Sequence, residues 1–152
     1  MKTLVIAATL LLSSLVLVHA ANADDAPACP AAVSAAMTHA FPKATINACK
    51  AEREDGHDQF EVRLTLADGT ALEVDVTPAG VVLQTEQVVP VNQVPALVAK
   101  AFAAKYPAAK ATRAEKQTRG AKGDVFFELA FQVAGKKLEA TFASDGRFIE
   151  EE

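Results

Sequence analysis

The sequence predicts an α+β fold of two tandem units. Each unit is a short helix followed by a four-stranded antiparallel sheet, with the helices on one face of the sheet. Three observations predict it. The segment from Cys29-Pro30 through Val33 and Met37 to Phe41-Pro42 returns 65 residues later as Val94-Pro95, Val98, Phe102 and Tyr106-Pro107. Each copy is followed by stretches that alternate apolar and polar residues. Gly69, Leu72-Glu73 and Gly80 recur as Gly135, Leu138-Glu139 and Gly146. Self-similarity at a fixed period is the mark of repeated structural units. The units are expected at residues 24–88 and 89–152, behind a leader at residues 1–23.

The leader has the layout of a secretory signal peptide. Lys2 gives a positive start, Leu4 to Val18 is an apolar run broken only by Thr9, Ser13 and Ser14, and small residues follow. Cleavage fits after Ala20 or after Ala23. The rival reading is a retained membrane helix, which needs about 20 apolar residues and is favoured by basic residues after the run. Asp24 and Asp25 stand there instead. The expectation is a periplasmic or secreted protein with no stable membrane anchor after cleavage.

Each unit opens on a helix. Proline suits a helix start, where its missing N–H is no loss, and Pro42 and Pro107 stop the helices. Val94, Leu97, Val98, Ala101, Phe102 and Tyr106 fall at three- and four-residue spacings and form one apolar face. Helices this short do not persist alone and must pack on something.

Strands follow. Thr45–Glu52 and Lys110–Gln117 are mixed stretches of strand length. Phe60, Val62, Leu64 and Leu66 alternate with polar residues, as do Leu72, Val74 and Val76, and Val125 to Val133 in the second unit. Asp68-Gly69, Pro78-Ala79-Gly80, Ala134-Gly135 and Ser144-Asp145-Gly146 read as turns. One face of the sheet is therefore apolar and covered by helix, and the other meets water or a partner.

Cys29 and Cys49 are the two cysteines. An even count in an oxidising compartment favours one disulfide over two buried thiols. The repeat sets Cys29 opposite Val94 and Cys49 opposite Ala114, an apolar pair where the first unit has cysteines. A bridge would clamp helix to sheet in a unit too small to bury a large core.

The mature chain carries 14 basic and 19 acidic residues, which argues against nucleic acid as a partner. From Asp24 to Pro90 there are 11 acidic and 4 basic residues; from Val91 to Glu152 there are 8 acidic and 10 basic. This contrast between halves either steers a charged partner or reflects drift at exposed positions. Glu54, Asp55, His57 and Asp58 form the densest polar cluster. They could hold a divalent cation weakly or simply be a solvated hairpin tip; the matching second-unit segment is basic, so no metal site is shared. Phe126 and Phe148 fall out of phase with the inward Phe127 and Ile149. They are candidate anchors for a partner or caps on the core at the junction between units. No Ser or Cys nucleophile has a base in a recognisable motif, and no glycine-rich phosphate loop follows a strand. No catalytic residues and no cofactor are expected.

The helix ends Phe41-Pro42-Lys43-Ala44 and Tyr106-Pro107, the strands Phe60-Glu61-Val62-Arg63-Leu64 and Phe127-Glu128-Leu129, and the closing Asp145-Gly146-Arg147 turn carry a resemblance. With these features the chain resembles the PepSY-like family, including its β-lactamase-inhibitor-protein-like branch. The resemblance implies an extracytoplasmic binding or inhibitory module, some of which are linked to secreted peptidases, with no catalytic residues to carry over. The reading is a non-enzymatic periplasmic protein-binding module with an unidentified protein partner. The alternative is a small-ligand or divalent-metal sensor.

Overall fold

The computed structural model describes residues 29–54 and 56–152. The signal-peptide reading of residues 1–23 lies outside them. In chain order the elements are α1 (Ala31–Ala40), β1 (Thr45–Glu54), β2 (His57–Thr65), β3 (Ala71–Val76), β4 (Val82–Val89), a single 3-10 turn, α2 (Ala96–Lys105), β5 (Arg113–Arg119), β6 (Asp124–Val133), β7 (Lys136–Ala143) and β8 (Phe148–Glu151).

Local chemistry explains both helix ends. Pro30 and Pro95 stand immediately before the helices in extended conformation. Phe41 and Tyr106 are held out of the helical region, as a following proline requires, and their N–H groups donate to the carbonyls of Met37 and Phe102.

The expectation of two tandem helix-plus-four-strand units is overturned. All eight strands form a single antiparallel sheet in sequence order, β1 to β8, and the described chain is mostly β with two short helices. The cause is the pairing of β4 with β5, from Gln84 opposite Arg119 to Val89 opposite Ala114. Two separate sheets would leave β4 and β5 as open edges with unpaired backbone groups. Joining them leaves β1 and β8 as the only edges among the described residues, and β8 is short.

Both helices lie over the same side of the sheet, and two apolar clusters fill the space beneath them. Val33 and Met37 of α1 meet Cys49, Val62, Leu64, Leu72, Val74 and Val76. Val98 and Phe102 of α2 meet Ala114, Phe127, Leu129, Phe131, Ala140 and Phe142. Leu97 departs from the apolar face read from the sequence. It is 59% exposed, while Val98 and Phe102 are the buried residues of α2, and the β7–β8 turn packs against the Leu97 backbone. A Cβ on Gly146 would lie 2.8 Å from the Leu97 carbonyl oxygen. Gly80 meets Ala32 of α1 in the same way, also at 2.8 Å. Both glycines have φ near +85°, so only glycine allows these turns to approach the helices without strain.

The cysteines are joined. Cys29, just before α1, bridges to Cys49 on β1 with a Cα–Cα distance of 5.4 Å. Among the described residues no helix is long and apolar enough to cross a membrane.

Candidate functional site

Strand alternation sends every second side chain away from the helices. On that open side most strand residues are polar, and they meet in rows across the sheet. One row runs Glu73, Glu86, Gln117, Phe126 from β3 to β6. The adjacent row runs Glu115, Glu128, Thr141 from β5 to β7. Together they floor a depression of about 440 Å³ whose lining includes eight glutamates and three arginines.

The floor is buried although it faces away from the core. Gln117 is 2% exposed and Glu115 8%. The Gln117 side-chain amide donates to Glu86 and to Glu128, at 3.1 Å each. Its oxygen accepts from the Arg119 guanidinium at 2.7 Å. One neutral amide thus sits between two carboxylates from neighbouring strands. Burial, followed by the charge of Glu115, pushes the Glu86 carboxyl up to about 7. Burial, followed by the charge of Glu139, does the same for Glu128. Asp75 rises to about 6, again from burial first and then from Glu54.

The three arginines that line this depression are already engaged. Arg63 contacts Glu61 and Glu73 at 3.0 and 3.4 Å. Arg113 pairs with Glu115, and Arg119 reaches Glu150 at 3.3 Å. Among the described residues Asp75, Glu86 and Glu128 take part in no ion pair. The charge contrast read between halves of the sequence is therefore overlaid by a contrast between sheet faces: most of the second half's lysines lie away from this depression.

The residues singled out from the sequence fall in different places. Phe126 lies on the open face, half-buried, with the Arg119 guanidinium 5.2 Å from its ring centre. Phe148 lies on the helix side. A bulge between Thr141 and Phe142 sets it opposite Phe142, with ring centres 5.6 Å apart and the Lys105 ammonium 3.9 Å above it. A bulge re-aims side chains in this way. The structure does not bring the two phenylalanines together.

The β1–β2 hairpin tip carries the candidate metal ligands. Glu54 and His57 pair across it, and Glu54 accepts from buried Gln59 at 2.7 Å. Asp58 points to the opposite side, 3.5 Å from Arg53. Alternation along β2 thus separates adjacent His57 and Asp58. Asp55 lies outside the described residues. Among the described residues no group of three His, Cys, Asp or Glu is arranged to hold a metal ion.

Sequence reasoning missed Gln117, Glu86, Glu115 and Glu128. The available signal was that the polar positions alternating with core residues in β2, β3, β6 and β7 are repeatedly acidic: Glu61, Glu73, Asp75, Glu128 and Glu139.

The architecture defines a class: an antiparallel meander of eight strands with both helices packed on one side. Solved structures share it. A BLIP-like protein from Bacteroides fragilis is 24% identical, with a TM-score of 0.62 over 80% of this chain and 83% of that one. A candidate periplasmic protein from Bacteroides eggerthii is 16% identical, with a TM-score of 0.67 over 82% and 88%. A DUF2874 family protein from Bacteroides uniformis is 19% identical, with a TM-score of 0.66 over 81% and 88%. The fold is thus that of the BLIP-like and DUF2874 structures. No protein-family profile matches the chain, and no curated protein sequence does.

Proposed function

We propose that the chain is a non-enzymatic, periplasmic protein-binding module that offers the open face of its sheet to a protein partner. One observation carries this reading. The helices cover one side of an eight-stranded sheet, and the other side presents a fixed array of side chains with nothing packed over it among the described residues. Rigid strands hold such an array with little ordering cost on binding. Phe126, stacked under Arg119 within this array, is the proposed aromatic anchor. The signal-peptide layout read from residues 1–23, the disulfide and the likeness to a candidate periplasmic protein support the compartment. The PepSY-like side of the resemblance rests on the Phe41-Pro42 and Tyr106-Pro107 helix ends.

Affinity capture from an envelope fraction tests the reading, with the mature chain and two variants as baits. A protein retained by the native chain and by Lys100→Glu on α2, but lost with Phe126→Ala of unchanged melting temperature, is the expected result. Equal retention by all three baits, or no retained protein, contradicts it. A large fall in melting temperature for Phe126→Ala would assign that ring to structure and not to binding.

A further inference from the structure

The register sets carboxylates directly against one another on the open face. Glu61 lies opposite Asp75, Glu73 opposite Glu86, and Glu115 opposite Glu128. Directly opposed residues in an antiparallel pair stand about 5 Å apart at Cβ, and like charges there are destabilising. Three such pairs on one face, spread over β2 to β6, are repulsion built into the sheet. The arginines nearby are committed to Glu61, Glu73, Glu115 and Glu150. Asp75, Glu86 and Glu128 are left with neutral donors at best, among them the amide of Gln117.

A face whose depression is lined by eight glutamates against three arginines, with no covering layer among the described residues, is complementary to a cationic occupant. We infer that the partner docks a lysine- or arginine-rich extended segment across this face, its cations seated between the opposed carboxylates. This rests on the protein-binding reading above and adds the chemistry of the partner. An extended segment fits because alternate side chains project to one side and can address successive strands. Interactions of this kind raise association rates and weaken as salt rises. A partner's cations would also remove the like-charge repulsion, so binding and folding would stabilise one another.

The test uses the mature chain at mildly alkaline pH and three short extended peptides of equal length, with lysine, glutamate or serine at alternate positions. Binding is followed by calorimetry and stability by thermal melting. The lysine peptide is expected to bind, to raise the melting temperature, and to lose roughly tenfold in affinity between low and physiological ionic strength. The double variant Glu86→Gln/Glu128→Gln keeps the hydrogen-bond acceptors for Gln117. It is expected to melt higher than the native chain and to bind the lysine peptide at least roughly tenfold more weakly. Asp58→Asn, on the other side of the sheet, is expected to leave the affinity unchanged. Opposite signs for stability and binding are what a purely structural role would not produce.

A lysine peptide that binds no better than the other two, or that binds the double variant equally well, overturns the proposal. Serine-peptide binding that is lost with Phe126→Ala also overturns it, while leaving the open face as the docking surface. Displacement of the peptide by calcium, with a matching rise in melting temperature, would assign the face to a cation instead. Self-association abolished by the double variant would assign it to a second copy of the chain. The envelope capture decides the underlying protein-binding reading independently of these results.

Discussion

The two ends of the sheet attach their helices by different means. At the β1–β4 end the fully buried core is aliphatic with one methionine, and the Cys29–Cys49 bridge ties the start of α1 to the edge strand. At the β5–β8 end Val94 and Ala114 occupy the corresponding positions and are buried without a bond. There the helix is held by rings: Phe102 packs edge-on to Phe131 at 5.1 Å and to Phe142 at 6.3 Å, and Tyr106 lies 4.4 Å from Phe131. An aromatic cluster gives both area and shape to hold a short helix. Where Phe41 and Phe60 only flank the cluster and no ring is fully buried, a cross-link that constrains the unfolded chain serves the same end. Neither helix would persist without its attachment.

The largest effect that should expose this difference is loss of a ring. Phe142→Ala removes a fully buried side chain from beneath α2 and is expected to cost about 3–5 kcal/mol, measured by denaturant unfolding. If the ends are held as described, amide exchange will quicken in α2 more than in α1. Equal quickening in both helices would mean that the two clusters act as one.

Removing the bridge is the complementary test. Cys29 and Cys49 are 20 residues apart, and the chain-entropy account assigns a loop of that length about 3 kcal/mol. Cys29→Ala/Cys49→Ala should therefore destabilise by about that amount and loosen α1 selectively. A loss well under 1 kcal/mol would show that burial at this end suffices alone.

The two helix-contacting turns sharpen the comparison further. Gly80→Ala and Gly146→Ala each place a Cβ 2.8 Å from a helix carbonyl at positive φ. Each is expected to lose about 1–3 kcal/mol. Similar losses from both would show that turn-to-helix contact is common to the two ends, whatever else holds them. A neutral result at either would mean that its turn can move away from the helix.

The smallest expected effect is in pH. The folded state holds Glu86 and Glu128 near 7 and Asp75 near 6, above the ordinary values of 4.5 and 3.8. Across that window the folded chain binds more protons than the unfolded one. Stability should thus fall as pH rises from about 4 to about 7, then level off. Glu86→Gln/Glu128→Gln should flatten the decline. A melting temperature that rises over the same range would contradict the buried, crowded setting described for these carboxylates.

Much of the fold was legible because β2, β3, β6 and β7 alternate cleanly and proline marks both helix ends. The disulfide was legible from compartment and count. The joining of β4 to β5 was not. Both strands are polar on both faces through Gln84–Gln87 and Glu115–Thr118, and strands connected through a helix leave no turn signature of their pairing. The burial of Gln117 and Glu115 was hidden for a related reason. A polar residue on an open face reads as solvated, and only neighbours from other strands, set by register, enclose it. Phe148 reaches the helix side through one bulge, which no single-strand pattern reveals.

The continuity of the sheet through β4 and β5 places Glu86, Gln117 and Glu128 side by side and makes the open face a single surface. Hydrogen exchange at the amides shared between β4 and β5 tests it most directly. Protection there comparable to that between β2 and β3 and between β6 and β7 is the predicted result. Rapid exchange along that seam, with both flanking regions protected, would mean two separate sheets and would contradict the account.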